Sequence, residues 1–178
     1  MPFSVCKNET EVSKMTDFNY CLFSAQTGTV CVVKADSQTD TGVSAMITFL
    51  KELCLHCGST LDGRFKAWNY LSPRMHYPPL LLHASPPELL LPTGSRRDPD
   101  TIWISYSHLK RLDVRGQRVF FDDGTWLAVE HPERIKKQLR QIAAVLNRLR
   151  AIRSPGSLPC SSSVHDAACL HPVLQCRS

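Results

Sequence analysis

Closely spaced prolines in the middle of the chain constrain its fold more than any other feature. Pro73 ends a helical pattern, because the residue before a proline is pushed out of the helical region. Beyond it, two short apolar runs, 80–83 and 88–91, are bounded by prolines and cannot extend into helices of ordinary length. We therefore predict two short strands with turns between them. The bounding prolines are Pro78, Pro79, Pro86, Pro87, Pro92 and Pro99.

Strand patterns also occur on both sides of this segment. The β-rich runs 19–23 and 29–34 flank the turn residues Gln26-Thr27-Gly28, which predicts a hairpin. After residue 101 a meander is predicted, with strands at 102–104, 109–114, 118–121 and 125–129. Asp123-Gly124, between the last two strands, is the strongest short hairpin signal in the chain.

Two short helices are predicted in the first half of the chain. In residues 44–57 the apolar positions share one helical face, and Gly58 follows where a glycine often ends a helix. That predicted face consists of Met46, Ile47, Leu50, Leu53, Cys54 and Cys57. A second helix is expected to begin near Asp62, as its N-cap, and to run through Leu71 with Trp68 and Leu71 facing the core.

A long amphipathic helix is predicted over residues 133–152. Pro132 stands where the first helical turn tolerates proline. The narrow apolar stripe suits packing on a sheet or pairing with a second copy of the chain. It consists of Ile135, Leu139, Ile142, Leu146 and Leu149, with Ile152 continuing it.

These elements predict an α+β fold in a single domain. The sheet is expected to be mostly antiparallel, with the two short helices in the first half and the long helix at the C-terminal end. Residues 1–16 are predicted to be disordered, 17–153 to form the domain, and the Ser-, Pro- and Cys-rich residues 154–178 to form a tail of low order.

Charge is unevenly distributed along the 178 residues. Residues 1–60 carry a net charge of −2, whereas residues 61–153 carry 16 Lys and Arg against nine Asp and Glu, a net of +7. A basic region of this kind suits a surface that faces phosphate, and it also occurs in plain basic proteins. The absence of a long apolar run or a secretory signal predicts a cytoplasmic protein without a membrane span.

The basic residues fall into three groups that could contact DNA. One lies in the second helix among aromatic residues that we expect to be mainly core, one in a loop between predicted strands, and one in a hairpin. For each group the alternative is a solvated surface, and the cations of the last helix are predicted to be solvated. The candidates are Arg64 and Lys66 in the helix with Arg74 just after it, Arg96 and Arg97 in the loop, and Lys110, Arg111, Arg115 and Arg118 in the hairpin.

Cysteine spacing and catalytic motifs give no sign of metal or enzyme chemistry. The eight cysteines are scattered and are expected to be free thiols in a reducing compartment. Cys54 and Cys57 form a lone CxxC, for which structural cysteines are favoured over zinc binding or a redox pair. No P-loop, nucleophile elbow or HExxH motif is present. We therefore expect a non-enzyme without metal, cofactor or small-molecule substrate.

Several motifs in one order resemble the competence transcription factor (ComK) family of Gram-positive bacteria. They comprise the stretch from Cys54 through Gly58-Ser59 to Gly63-Arg64, then Pro78-Pro79-Leu80, Leu91-Pro92-Thr93 and Trp103-Ile104-Ser105. The hairpin at Asp123-Gly124 and the last helix complete the match, which covers roughly residues 45–150. The chain departs from the family pattern at Leu91-Pro92, where an aromatic-proline pair is expected, and at Asp100–Thr101, where a Cys often stands. Beyond residue 153 there is no resemblance.

The resemblance implies a DNA-binding activator of genes for DNA uptake and transformation. Such proteins are understood to bind AT-rich boxes of double-stranded DNA, largely in the minor groove, as homo-oligomers. The alternative is a basic protein–protein adaptor that keeps the fold and has lost DNA binding. The net charge of +7 on residues 61–153 favours the first hypothesis.

Overall fold

The computed structural model describes residues 16–73 and 75–153, and these residues confirm the predicted α+β class. The helices are α1 (Met46–His56), α2 (Leu61–Leu71) and α3 (Pro132–Arg153). The strands are β1 (Tyr20–Ser24), β2 (Thr29–Lys34), β3 (Ser37–Asp40), β4 (Leu80–Ala84), β5 (Pro87–Pro92), β6 (Trp103–Ser105), β7 (Leu109–Asp113), β8 (Arg118–Phe121) and β9 (Trp126–Ala128). The predicted N-terminal segment (apart from Thr16) and the C-terminal tail lie outside the described residues.

The strands form two antiparallel sheets. The central sheet has six strands in the order β3-β2-β1-β6-β5-β4, and the second sheet has three in the order β7-β8-β9. Strand β1 pairs with β2 in the predicted hairpin and with β6 on its other side. The first strand described is therefore an interior strand of the central sheet. Its two neighbours, β2 and β6, are far apart in the sequence.

The central sheet is buried on both faces. On β5, Leu90 contributes to one hydrophobic core, whereas Leu89 and Leu91 contribute to the other. On β6, Trp103 and Ile104 divide in the same way, as the alternation of side chains along a strand requires. Helix α1 and the start of α2 cover the first face, and α3, the second sheet and Trp68 near the end of α2 cover the other. Loops at the end of this sheet are consequently set on a rigid base.

Strand β3 was not predicted, and the face of α1 differs in part from the prediction. The four residues of β3 are polar and exposed, so no apolar alternation marks the strand. In α1 the buried residues follow helical spacing as Met46, Phe49, Leu50, Leu53 and Cys54. The prediction of Ile47 on the buried face was wrong, since its side chain is 39% exposed.

The junction of α1 and α2 follows the predicted pattern except at one cap. Gly58 has a φ of +67°, and the Ser59 N–H donates to the Cys54 carbonyl at 3.0 Å, which confirms a helix end at this glycine. Helix α2 is capped by Thr60, whose Oγ1 accepts from the Gly63 N–H at 3.1 Å, and not by Asp62. Asp62 lies in the first turn, where its charge suits the helix dipole.

Helix α3 packs through most of its predicted stripe. Ile135, Ile142 and Leu146 are buried, and Leu139 and Leu149 are partly buried. The stripe does not extend to the last turn, because Ile152 lies past the core and is 73% exposed.

A buried glutamine fixes α3 against the central sheet. Gln138 is 2% exposed, and its Nε2 donates to the carbonyl oxygens of Pro92 at 2.9 Å and Tyr77 at 3.2 Å. The bond to Pro92 is buried and the bond to Tyr77 is partly buried, so one amide group ties α3 both to the end of β5 and to the segment before β4. The helix is thereby positioned beside the end of β5.

A carboxylate in the predicted Asp123-Gly124 turn joins the two sheets. Asp123 Oδ2 accepts from Asn19 Nδ2 at 2.6 Å, next to β1, and from the Ala35 N–H at 2.9 Å, between β2 and β3. Desolvation raises the pKa of Asp123, but hydrogen bonds from Thr125, Asn19 and Ala35 outweigh it and hold that pKa at about 2. The ionised form is therefore the one that the folded protein favours.

We predict that Ile142→Ala lowers the free energy of unfolding by about 2–5 kcal/mol, because it leaves a cavity at a fully buried position. Ile152→Ala, the same substitution on the same helix at an exposed site, should change it by less than about 0.5 kcal/mol. Urea unfolding of both variants measures the difference. Equal effects would show that α3 does not pack as described.

We also predict that Asp123 stabilises the fold in a pH-dependent way. Its folded pKa lies below the unfolded value of about 3.9, so the stabilisation is present above about pH 4 and is lost as the pH falls toward about 2. Asp123→Asn should lower stability at pH 7 and flatten the acid limb of the stability curve. Asp36→Asn, an exposed carboxylate in the β2–β3 turn, is the control. An unchanged acid limb in Asp123→Asn would contradict this role.

Candidate nucleic-acid interface

The loop between β5 and β6 holds Arg96 and Arg97 on an ordered backbone. The Thr101 hydroxyl donates to the Ser95 carbonyl at 2.6 Å, and the Ile102 N–H donates to Thr93 Oγ1 at 3.0 Å. A Cβ added at Gly94 would stand 2.8 Å from Thr101 Oγ1, so the close approach needs glycine. These bonds close the loop on itself and leave both arginines exposed at its tip.

The two loop arginines border two cavities of different charge. One, of about 620 Å³, also includes the start of α1 and the carboxylates of Asp62 and Asp98. The other, of about 350 Å³, is lined by described residues that include no Asp or Glu, among them Phe65 and Tyr77. Arg96 lies with its guanidinium carbon 4.8 Å from the centre of the Phe65 ring. The second cavity is thus the more favourable place for an anion.

This carboxylate-free cavity continues onto α3. Residues Met75, His76 and Tyr77 line it and also line a neighbouring cavity of about 300 Å³, whose other walls include Arg134 and Lys137. The Arg134 guanidinium carbon is 5.2 Å from the centre of the Tyr77 ring. We call the two cavities together the basic groove. It is bordered at one end by Arg96 and Arg97 and at the other by Arg134 and Lys137.

Arg134 and Lys137 join this surface although the sequence predicted a solvated helix face. The amphipathic pattern shows that both are off the apolar stripe, but it does not show what lies beside the helix. Gln138, one residue further on, is bonded to Pro92 and so brings this turn of α3 next to the β5–β6 loop. Lys136 differs from its neighbour, since its Nζ is 3.6 Å from Glu133 Oε2 and is partly neutralised.

The hairpin cations lie on the second sheet. Lys110 and Arg111 are on β7, Arg115 is in the β7–β8 turn and Arg118 begins β8, and all four are exposed. The Val129 N–H donates to the Gln117 carbonyl at 2.9 Å and so ties this turn to the segment before α3. From Pro132 to Gln138 the helix advances about 9 Å. Arg134 and Lys137, which border the basic groove, lie in this stretch, and none of the four hairpin cations lines either cavity of the groove.

Of the candidates Arg64, Lys66 and Arg74, the two that the structure describes line neither cavity of the basic groove. Arg64 is half-buried, and its Nη2 donates to the Cys57 carbonyl at 2.9 Å, so it supports the C-terminal end of α1. Lys66 is exposed on α2, and Arg74 lies outside the described residues. Phe65 and Trp68 are core residues as predicted, but Tyr70 is 88% exposed.

The CxxC segment gives no indication of a reactive or metal-binding site. Burial raises the pKa of the Cys54 thiol to about 11, so little thiolate exists near neutral pH. Among residues 16–73 and 75–153 no group of three or more His, Cys, Asp or Glu side chains could hold a metal ion. Nor does any described helix have the length and apolar character needed to cross a membrane.

The comparison with protein families agrees with the resemblance noted in the sequence. The model of a family described as ComK protein matches residues 21–152, which is most of the chain and includes every element from β2 to the end of α3 except the last residue. The chain belongs to the ComK family. Membership implies a competence transcription factor that binds DNA, and not an enzyme. Neither the curated proteins nor the solved structures gave a match.

Proposed function

We propose that this ComK-family protein activates competence genes in the cytoplasm by binding AT-rich promoter boxes of double-stranded DNA in the minor groove. The observation that carries the proposal is the basic groove, which brings Arg96, Arg97, Arg134 and Lys137 together without a carboxylate among its described lining residues. Four cations so placed attract a phosphate backbone from any sequence. A preference for AT-rich DNA requires a further feature of the protein.

The ordered loop supports a role for Arg96 and Arg97 in recognising AT-rich DNA. Minor grooves of AT-rich DNA are narrow and strongly negative, and they favour arginine because its guanidinium costs less to strip of water than an ammonium group. Both arginines project from a loop whose backbone is held by its own hydrogen bonds. Little conformational entropy is therefore lost when the loop enters a groove.

The other candidate cations take smaller parts in the proposal. Lys110, Arg111, Arg115 and Arg118 line neither cavity of the basic groove, so they would add long-range attraction for the duplex rather than direct contacts. Lys66 would add charge on the exposed side of α2, and Arg74 stays a candidate from the sequence alone. Arg64 contributes least, because its guanidinium is already bonded to the end of α1.

The edge of the central sheet supports the proposal of a homo-oligomer. Strand β3 pairs with β2 on one side and forms the sheet edge on the other, and all four of its residues are exposed. An edge strand presents unpaired N–H and carbonyl groups that a second chain can use. Size-exclusion chromatography with and without DNA tests this arrangement.

We predict strong salt dependence for duplex binding. If about five phosphates are neutralised, log affinity should fall with log salt at a slope of about −4 to −5. Gel shifts on AT-rich and GC-rich duplexes over a series of salt concentrations measure the slope and the preference together. A flat response would contradict DNA binding and would favour a protein–protein adaptor of the same fold.

We predict that the loop arginines matter more for sequence preference than the helix lysines. Alanine at both Arg96 and Arg97 should weaken binding and reduce the preference for AT-rich DNA. Alanine at both Lys136 and Lys137 should weaken binding slightly and leave the preference unchanged, since phosphate contacts carry no sequence information. The reverse ranking in the same gel-shift series would show that α3, and not the loop, determines the preference for AT-rich DNA.

A further inference from the structure

The outer face of the second sheet carries rings and cations side by side. On β8, Val119 and Phe121 are buried in the core shared with α3, so Arg118 and Phe120 point to the opposite face. The strand register then sets Arg111, Phe120 and Trp126 in one row across β7, β8 and β9. We call Arg111, Arg118, Phe120 and Trp126 the stacking face.

Each ring on this face lies under an arginine. The guanidinium carbon of Arg111 is 4.2 Å from the centre of the Phe120 ring, and that of Arg118 is 4.3 Å from the Trp126 ring. Trp126 is 50% exposed, although tryptophan is a residue that proteins usually bury for most of its surface. The outer face of this sheet therefore carries two aromatic rings, each with an exposed arginine over it.

We propose that the stacking face binds single-stranded nucleic acid. In a duplex the faces of the bases are covered by their neighbours, whereas unpaired bases stack on aromatic side chains of exposed sheets. Phe120 and Trp126 would each take one of two successive bases, since cross-strand neighbours lie about 5 Å apart. Arg111 and Arg118 would hold the phosphates of the same nucleotides.

At each ring, binding replaces the arginine–ring contact with an arginine–phosphate contact and a base–ring contact. The guanidinium swings from the ring to a phosphate, where it makes a charge-assisted hydrogen bond, and a base takes its place over the ring. A base stacked on an aromatic ring contributes more than a solvent-exposed cation–π pair does, so the exchange is favourable. Lys110 and Arg115, exposed on the same hairpin, add charge for the flanking phosphates.

The carboxylate nearest to this row does not block it. Asp113 is opposite Arg118 in the strand register, but its Oδ1 accepts from the Gly116 N–H at 2.9 Å in the β7–β8 turn. None of the four residues of the stacking face lines either cavity of the basic groove. Single-strand binding therefore goes beyond the proposed duplex function and does not depend on it.

The chain contains a natural reporter for this proposal. Of its three tryptophans, Trp68 and Trp103 are each 1% exposed, so Trp126 provides the solvent-accessible emission. A base stacked on an indole quenches its fluorescence. Titration of the full chain with short oligothymidylate should quench the emission and protect it from iodide, whereas an AT-rich hairpin duplex should leave the Trp126 signal nearly unchanged.

Variants separate stacking from charge and from folding. Trp126→Ala should weaken binding of a dye-labelled oligothymidylate, followed by anisotropy, by about 5- to 100-fold. Trp126→Phe, which keeps a ring, should retain most of the affinity. Tyr70→Ala is the matched control, because Tyr70 is an 88% exposed aromatic residue on α2 and not a residue of the second sheet.

Four results would overturn the proposal. They are absence of quenching by oligothymidylate, quenching by the duplex and not by the single strand, equal quenching by polyglutamate, and equal affinity of Trp126→Ala and wild type. A gel shift of AT-rich duplex by Trp126→Ala, measured in parallel, reports on the proposed duplex function. Loss of single-strand binding with duplex binding intact, or the converse, thus separates the two proposals.

Discussion

The fold depends on a central sheet that must be covered on both faces. Leu89, Leu90 and Leu91 are successive residues on β5, and all three are buried. Successive residues of a strand point to opposite faces, so a run of this kind requires an apolar layer on each side. Helix α1 and the start of α2 supply one layer, and α3, the second sheet and the end of α2 supply the other.

Two polar contacts set how those layers sit on the sheet. Gln138 bonds α3 to the end of β5, and Asp123 bonds the second sheet to the start of β1 and to the β2–β3 turn. Hydrophobic burial is non-directional and does not specify where a helix or sheet rests along a face. These directional bonds do so, and they place the first turns of α3 between the β5–β6 loop and the hairpin.

Much of the local structure was predictable from residue patterns. Strands 29–34 and 118–121 were predicted with the observed bounds, and the end of α1 at Gly58 follows from its positive φ. Strand β3 was missed because its four residues are polar and exposed and show no apolar alternation. It is a strand because it pairs with β2, and its own residues carry no sign of that pairing. Ile47 and Ile152 were wrongly assigned to buried helix faces. Helical periodicity shows which apolar residues share a face, but it does not show how far the neighbouring core extends along that face.

The sequence by itself determined the fold class, the strand-rich middle of the chain and the basic character of residues 61–153. Those features are local, since they follow from proline geometry, side-chain periodicity and charge. The tertiary structure alone decided which cations meet. It set Arg134 on a cavity next to that of the loop arginines, turned Arg64 toward a helix end, and left Trp126 half-exposed beside Arg118. Such neighbours come from packing between distant segments, and no short-range pattern encodes them.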